Sequence, residues 1–179
     1  GMSVMYDIGK HAREIDVQLK AEIEKRLGAE DVPWDYQEAN AEPARALSRN
    51  SALADIIVLS SGSGIKDNRL PLGIFGDVIF NTKLPVVVQP DSVRNFDTAG
   101  PAMIAWNGSF EAGNALRAAV PLLSLASEVH IVVVEEDKDH DLPPLEASQY
   151  LSRYGIKSKI HDLEAGRSSV QAVLLSTVD

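Results

Sequence analysis

Asn107-Gly108-Ser109 is where this sequence most resembles a binding site. The triplet sits inside Pro101–Arg117, P-A-M-I-A-W-N-G-S-F-E-A-G-N-A-L-R. Ala102–Trp106 is an apolar run of strand length, and Asn-Gly is a turn signal. Ser109 is a natural N-cap, whose hydroxyl can accept one of the orphan N–H groups of a following helix. Ala112, Ala115, Leu116 and Ala119 then recur at helical spacing. A strand, a tight turn and an immediate helix aim N–H groups outward beside a strand's carboxyl end, where open α/β sheets bind ligands. The competing reading is an ordinary strand–helix joint. Other polar groupings are weaker. His140 lies among Asp137, Asp139 and Asp141, but neighbours on one loop seldom converge on one ion, and the run reads as solvated charge. His161-Asp162, expected at a strand end, has the types of an acid/base pair without a nucleophile to serve. Ser60, Ser61 and Ser63 lie outside any G-x-S-x-G elbow. His11 and His130 fall within regular elements. Trp34 and Trp106 read as packing residues, since no basic groove accompanies them. No metal site and no catalytic set is expected.

Composition narrows the classes. The 179 residues are 45% hydrophobic, ordinary for a globular chain that can bury about 70% of its unfolded surface. The net charge of −9 and pI near 4.9 argue against nonspecific nucleic-acid or anionic-membrane partners. There is no cysteine, which fits a reducing cytoplasm. No apolar run reaches membrane-spanning length, and the N-terminal stretch lacks a signal-peptide core. Gly1 before Met2 is expected to be the remnant of a cleaved tag.

The positioning elements follow from periodicity. Ile8, Ala12, Ile15, Leu19, Ile23 and Leu27 predict an amphipathic helix from about residue 7 to Leu27, stopped by Gly28. Val32–Glu38 alternates like a half-buried strand, with Pro33 marking an edge. Pro43–Asn50 predicts a short helix with Ala44 and Leu47 inward. Asp55–Ser60 is a continuous apolar run, the pattern of a parallel strand covered on both faces. Ser61–Arg69 is a Ser/Gly loop, Gly73–Asn81 a short helix, Leu84–Gln89 a strand and Asp91–Gly100 a polar linker. Beyond the tip, its helix runs to about Ala126, and Glu128–Val134 is a β-branched strand. Glu135–Asp141 is a charged loop. Leu145–Tyr154 is a helix closed by Gly155, Ile156–His161 a strand, and Ser168–Thr177 a last helix. Alternating strands and helices predict an α/β fold with a mostly parallel sheet.

Three pieces resemble the universal stress proteins, especially the tandem bacterial kind. A-D-I-I-V-L, a Gly/Ser loop, a short helix and L-P-V-V-V-Q-P are similar to that family's fourth and fifth strands. M-I-A-W-N-G-S-F-E-A-G-N-A-L-R-A-A-V-P-L-L is similar to its first strand and helix, and S-E-V-H-I-V-V-V-E to its second strand. The resemblance covers about two thirds of the chain. It implies an open, Rossmann-like sheet of the adenine-nucleotide alpha-hydrolase type, with about five to six strands and helices on both faces. It also implies an unusual order: residues 2–90 form the later part of one such domain, 91–100 a linker, and 101–179 the early part of the next. Asp179 stops where another A-D-I-I-V-L is expected. The chain is then either a truncated tandem or one compact unit of permuted halves. The linker permits the second: ten extended residues reach about 33 Å, against about 20 Å for a six-residue strand. Strand 102–106 is then expected beside strand 55–60. Exchange of halves between copies is the alternative.

The resemblance also implies where ATP or AMP would sit. Many members bind ATP through G-x2-G-x9-G-(S/T) after the fourth strand, the glycines letting backbone N–H groups approach phosphate. The matching positions here are Ser60, Ser63, Gly73 and Ile74. Only the third glycine is kept, and Ile74 lacks the hydroxyl. Lys66 and Arg69 remain as loop cations. Asn107 stands where the family places an acidic residue; it can hydrogen-bond a base or ribose without the charge. Asn107, Gly108, Ser109, Ser60, Ser63 and Gly73 are therefore the candidate adenine-nucleotide residues of an eroded site. The expected function is a universal stress-like regulatory protein that dimerises, partly through an exposed edge strand Leu84–Gln89, with nucleotide binding weak or lost. A nucleotide-binding switch and an enzyme of the wider adenine-nucleotide group are the alternatives.

Overall fold

The structure, a computed structural model, describes residues 17–18, 20–30, 33–37, 43–60, 72–90, 93, 95–135, 141–164, 166 and 168–177. The chain divides into two compact units, Gly1–Ala41 and Glu42–Asp179. In the first, residues 17–18 and 20–27 are helical (α1). As the spacing predicts, the helix ends at Gly28, whose N–H donates to Glu24 O at 2.9 Å. A Cβ at residue 28 would meet that same oxygen at 2.8 Å, so the close turn requires glycine. The strand expected over Val32–Glu38 does not form at residues 33–37, which join no ladder. Pro33 has no N–H to give, Gln37 Nε2 turns back to donate to Asp35 Oδ2, and Tyr36 lies under the Lys20 ammonium, 5.3 Å from the ring centre. Trp34, expected to pack, is 40% exposed.

The second unit carries two parallel sheets. The first is β1 (Ile57–Ser60) beside β2 (Val86–Gln89), joined through helix α3 (Leu72–Thr82). Helix α2 (Pro43–Asn50) packs with α3 on one face. Ala44, Ile57, Leu59 and Val78 are buried there, with Leu47, Leu84 and Val86 against them. The register places Val58 opposite Val87 on the other face, and Val58 is 61% exposed. Helix α3 stops where Lys83 turns to a φ of 56° and donates its N–H to Ile79 O. A β-carbon is strained in that left-handed region, so Lys83→Gly is expected to stabilise the protein by about 0.5–1 kcal/mol, read as a higher midpoint of thermal unfolding.

The second sheet has the order β3-β4-β5: Ala102–Trp106, Val129–Glu135 and Ser158–Glu164. Helices α4 (Phe110–Leu123) and α5 (Pro144–Ser152) make the crossovers. The register sets Ile104 opposite Ile131 and Trp106 opposite Val133. These side chains share one core with Leu116 and Leu123 of α4, Ala147 and Leu151 of α5, and Ile156. Gly155, at a φ of 75°, turns the chain out of α5. The last helix, α6 (Val170–Ser176), is capped by Ser169. Among the described residues no helix is long and apolar enough to cross a membrane.

The α/β class, the parallel pairing and the helical crossovers agree with the sequence expectation. The strand count is lower: five strands among the described residues, divided two and three rather than joined in one sheet. Strand β3 hydrogen-bonds to β4, not to β1. Each sheet has its own buried cluster beneath its own helices, so neither needs the other to bury its covered face.

Candidate functional site

The tip after β3 forms as its residues dictate. Gly108 is buried with a φ of 73°, a conformation that costs an L-residue about 1–2 kcal/mol. Asn107 Oδ1 accepts from the Ser109 N–H at 3.1 Å and from the Ser109 hydroxyl at 2.8 Å, an Asx turn. Ser109 Oγ in turn accepts from Ala112 N at 3.1 Å and caps α4. Leu142, at the entrance to α5, clamps the tip from the side. Its N–H donates to Gly108 O at 2.9 Å, and its carbonyl accepts from Trp106 Nε1 at 2.9 Å. Trp106 is thus a packing residue with a polar tether.

Beside the tip lies a cleft of about 460 Å³, walled by Asn107, Ser109 and Glu111 and by apolar side chains from β3, β4 and α6, among them Val132, Val134 and Leu174. Its size suits a small molecule. Glu111 was not among the residues expected at the site. Its carboxylate stands in the first turn of α4, the place where a helix end favours negative charge, and so competes with any phosphate there. The sequence signal was present, since Glu111 follows the N-cap by two positions. A larger cleft of about 570 Å³ runs between α4 and α5, with Trp106, Arg117 and Arg153 on its walls and none of the predicted site residues that the structure describes.

The structure brings together Asn107, Gly108 and Ser109. Ser60 ends β1, and Gly73 is the second residue of α3. Ser63, Lys66 and Arg69 lie outside the described residues, as does the His140 loop apart from Asp141. His161-Asp162 is not at a strand end: β5 continues to Glu164. The sequence pattern stopped that strand early because Asp162 and Glu164 alternate with Leu163, as on a half-exposed edge.

The ladder instead joins His161 to His130, a contact that sequence spacing does not reveal. His130 Nδ1 and His161 Nε2 are 2.9 Å apart. His130 Nε2 faces Glu128 Oε2 at 3.2 Å, and Lys159 Nζ donates to that same oxygen at 2.7 Å. The Lys159 hydrogen bond, then its charge, holds the Glu128 carboxyl below its usual range, with His130 adding to the effect. A depressed carboxylate contributes stability above its unfolded pKa and loses it as pH falls through the folded pKa. The pair is exposed, so the expected effect on stability is slight. Lys159→Gln should move the Glu128 titration upward toward the ordinary value, followed by carboxyl carbon chemical shift. Among the described residues no three potential metal ligands converge.

No protein-family model and no curated protein sequence matches the chain significantly. The fold is that of a universal stress protein. The chain is similar to the crystal structure of a universal stress protein from Archaeoglobus fulgidus DSM 4304, with a TM-score of 0.67 over 92% of this chain at 20% identity. It spans 61% of the length of that protein.

Proposed function

We propose that this chain is a universal stress-like regulatory protein that acts through dimerisation and protein contacts, with nucleotide binding weak or lost. The observation that carries the reading is the open β1–β2 sheet. Two four-residue parallel strands are marginal alone, parallel sheets are normally covered on both faces, and Val58 is 61% exposed. Neither outer edge of this sheet is paired among the described residues, and an open edge is a pairing surface. The polar groups at the tip support the second half of the reading. Ser109 caps its own helix, Asn107 holds Ser109, and Glu111 occupies the anion-favouring turn. Light scattering at micromolar concentration is expected to give a homodimer, and Val87→Lys a monomer; a monomeric parent would overturn the proposal. Denatured protein is expected to release no adenine nucleotide, and ATP titration to show no saturable site.

A second reading has one observation in its favour, the cleft beside Asn107. It makes the chain an ATP- or AMP-responsive switch using Asn107, Gly108 and Ser109 with the Ser60–Ile74 loop. Stoichiometric ATP in the same titration would select it.

A further inference from the structure

We propose that His130 and His161 form a chelating site for a divalent transition-metal ion, zinc foremost, at the middle of the β4–β5 ladder. The register pairs His130 with Lys159 and Val132 with His161, so the two histidines are diagonal neighbours on one face of the sheet. Diagonal neighbours on adjacent strands lie within reach of long side chains. This is the face opposite the Ile131–Leu151 core, and both rings are only partly buried. The ring nitrogens already converge to 2.9 Å, with the ring centres 5.1 Å apart. Two imidazole nitrogens on one zinc ion, at about 2.0–2.1 Å and a near-tetrahedral angle, stand about 3.3 Å apart. Opening the pair by about 0.4 Å, a tilt of the rings, converts the hydrogen bond into a chelate.

The surrounding groups favour that exchange. The Glu128 carboxylate faces His130 Nε2 and places the proton there, which leaves the Nδ1 lone pair directed at His161. A carboxylate that holds a histidine by its far nitrogen is the usual outer support of a metal-bound imidazole. In the hydrogen-bonded pair His161 Nε2 carries a proton; on binding, that proton moves to its Nδ1, and the neutral pair presents two lone pairs with no proton lost. Imidazole ligands suit zinc, copper and nickel rather than magnesium or calcium. Two protein ligands leave the remaining positions to water, so the ion exchanges freely. Lys159 is an opposing charge at this cluster, and Glu128 offsets it at 2.7 Å. The ion would tie β5 to β4 on the face that also carries Val132, the register partner of His161 and a wall of the cleft beside the tip.

Calorimetric titration of the full chain with zinc chloride is expected to give one saturable site. His130→Gln or His161→Gln should each weaken it by about a hundredfold or more, because the chelate becomes a single contact. Glu128→Gln should weaken it about tenfold, the usual cost of losing an outer partner, and Lys159→Gln should tighten it. His11→Gln and His140→Gln should leave it unchanged. Imidazole nitrogen resonances of the unaltered chain provide a reading that needs no variant: zinc should shift His130 Nδ1 and His161 Nε2 together. Absence of a zinc site, a site abolished by His11→Gln or His140→Gln, or shifts confined to other histidines would each overturn the proposal.

Discussion

Leu151→Ala is expected to cost about 2–5 kcal/mol, a large part of the stability of a domain this size. Leu151 is fully buried on α5, as is Ile131 on β4. Both belong to the cluster that holds α4 and α5 to the three-stranded sheet. Removing the isopropyl end of the side chain leaves a cavity whose walls come from several elements, so no single side chain can collapse into it. The chain leaves α5 through Gly155, and Ile156 N–H donates back to Leu151 O at 3.2 Å. That closure pins the backbone of residue 151 and limits relaxation further. Urea denaturation followed by far-ultraviolet circular dichroism should show the midpoint fall with little change in slope. Leu175→Ala, on the exposed side of α6, is the matched control and should lie within about 0.5 kcal/mol of the parent.

The elements around Leu151 were legible in the sequence because each has a pattern that one physical cause imposes. Ala102–Trp106 is an apolar run because Ala102, Ile104 and Trp106 turn to the core, while Met103 and Ala105 on the other face are apolar but exposed. Ser109 and Gly155 mark helix ends because a hydroxyl satisfies orphan N–H groups and a glycine accepts a positive φ. Strand ends were less legible. β5 extends three residues past His161 because Asp162, Leu163 and Glu164 stay in register with Val133, Val134 and Glu135 of β4, a pairing that the two acidic side chains do not announce. Val32–Glu38 shows the converse: its alternation is that of a strand, but a ladder needs a partner, Pro33 withholds a donor, and residues 33–37 join no ladder. The site divides along the same line. Ser109 as a cap is a local property and could be read from spacing. Glu111 as a wall of the cleft, and His130 against His161, depend on which strands become neighbours and in what register. Residues 31 positions apart carry no mark of that in a single sequence.

Trp106→Ala is expected to cost about 3–5 kcal/mol, and Trp106→Phe serves to divide that loss. The indole is 4% exposed, and its Nε1–H reaches the Leu142 carbonyl. Phenylalanine keeps most of the ring's packing and removes the donor. That leaves the Leu142 carbonyl without its indole partner, at a cost of about 1–3 kcal/mol. Leu142 is also the residue whose N–H holds Gly108 O, so the phenylalanine variant should loosen the tip as well as the core. Hydrogen exchange separates the two effects. Faster exchange at the Leu142 amide, with Ala112 still protected by its bond to Ser109, would mean that the clamp has opened while the cap persists. Uniform acceleration across α4 and α5 would mean instead that Trp106 acts through packing alone. The first outcome is expected, because the cap is closed within residues 107–112 and makes no use of the indole. If so, the strand–turn–helix is held in two separable ways: locally by Asn107 and Ser109, and across the fold by Trp106 through Leu142.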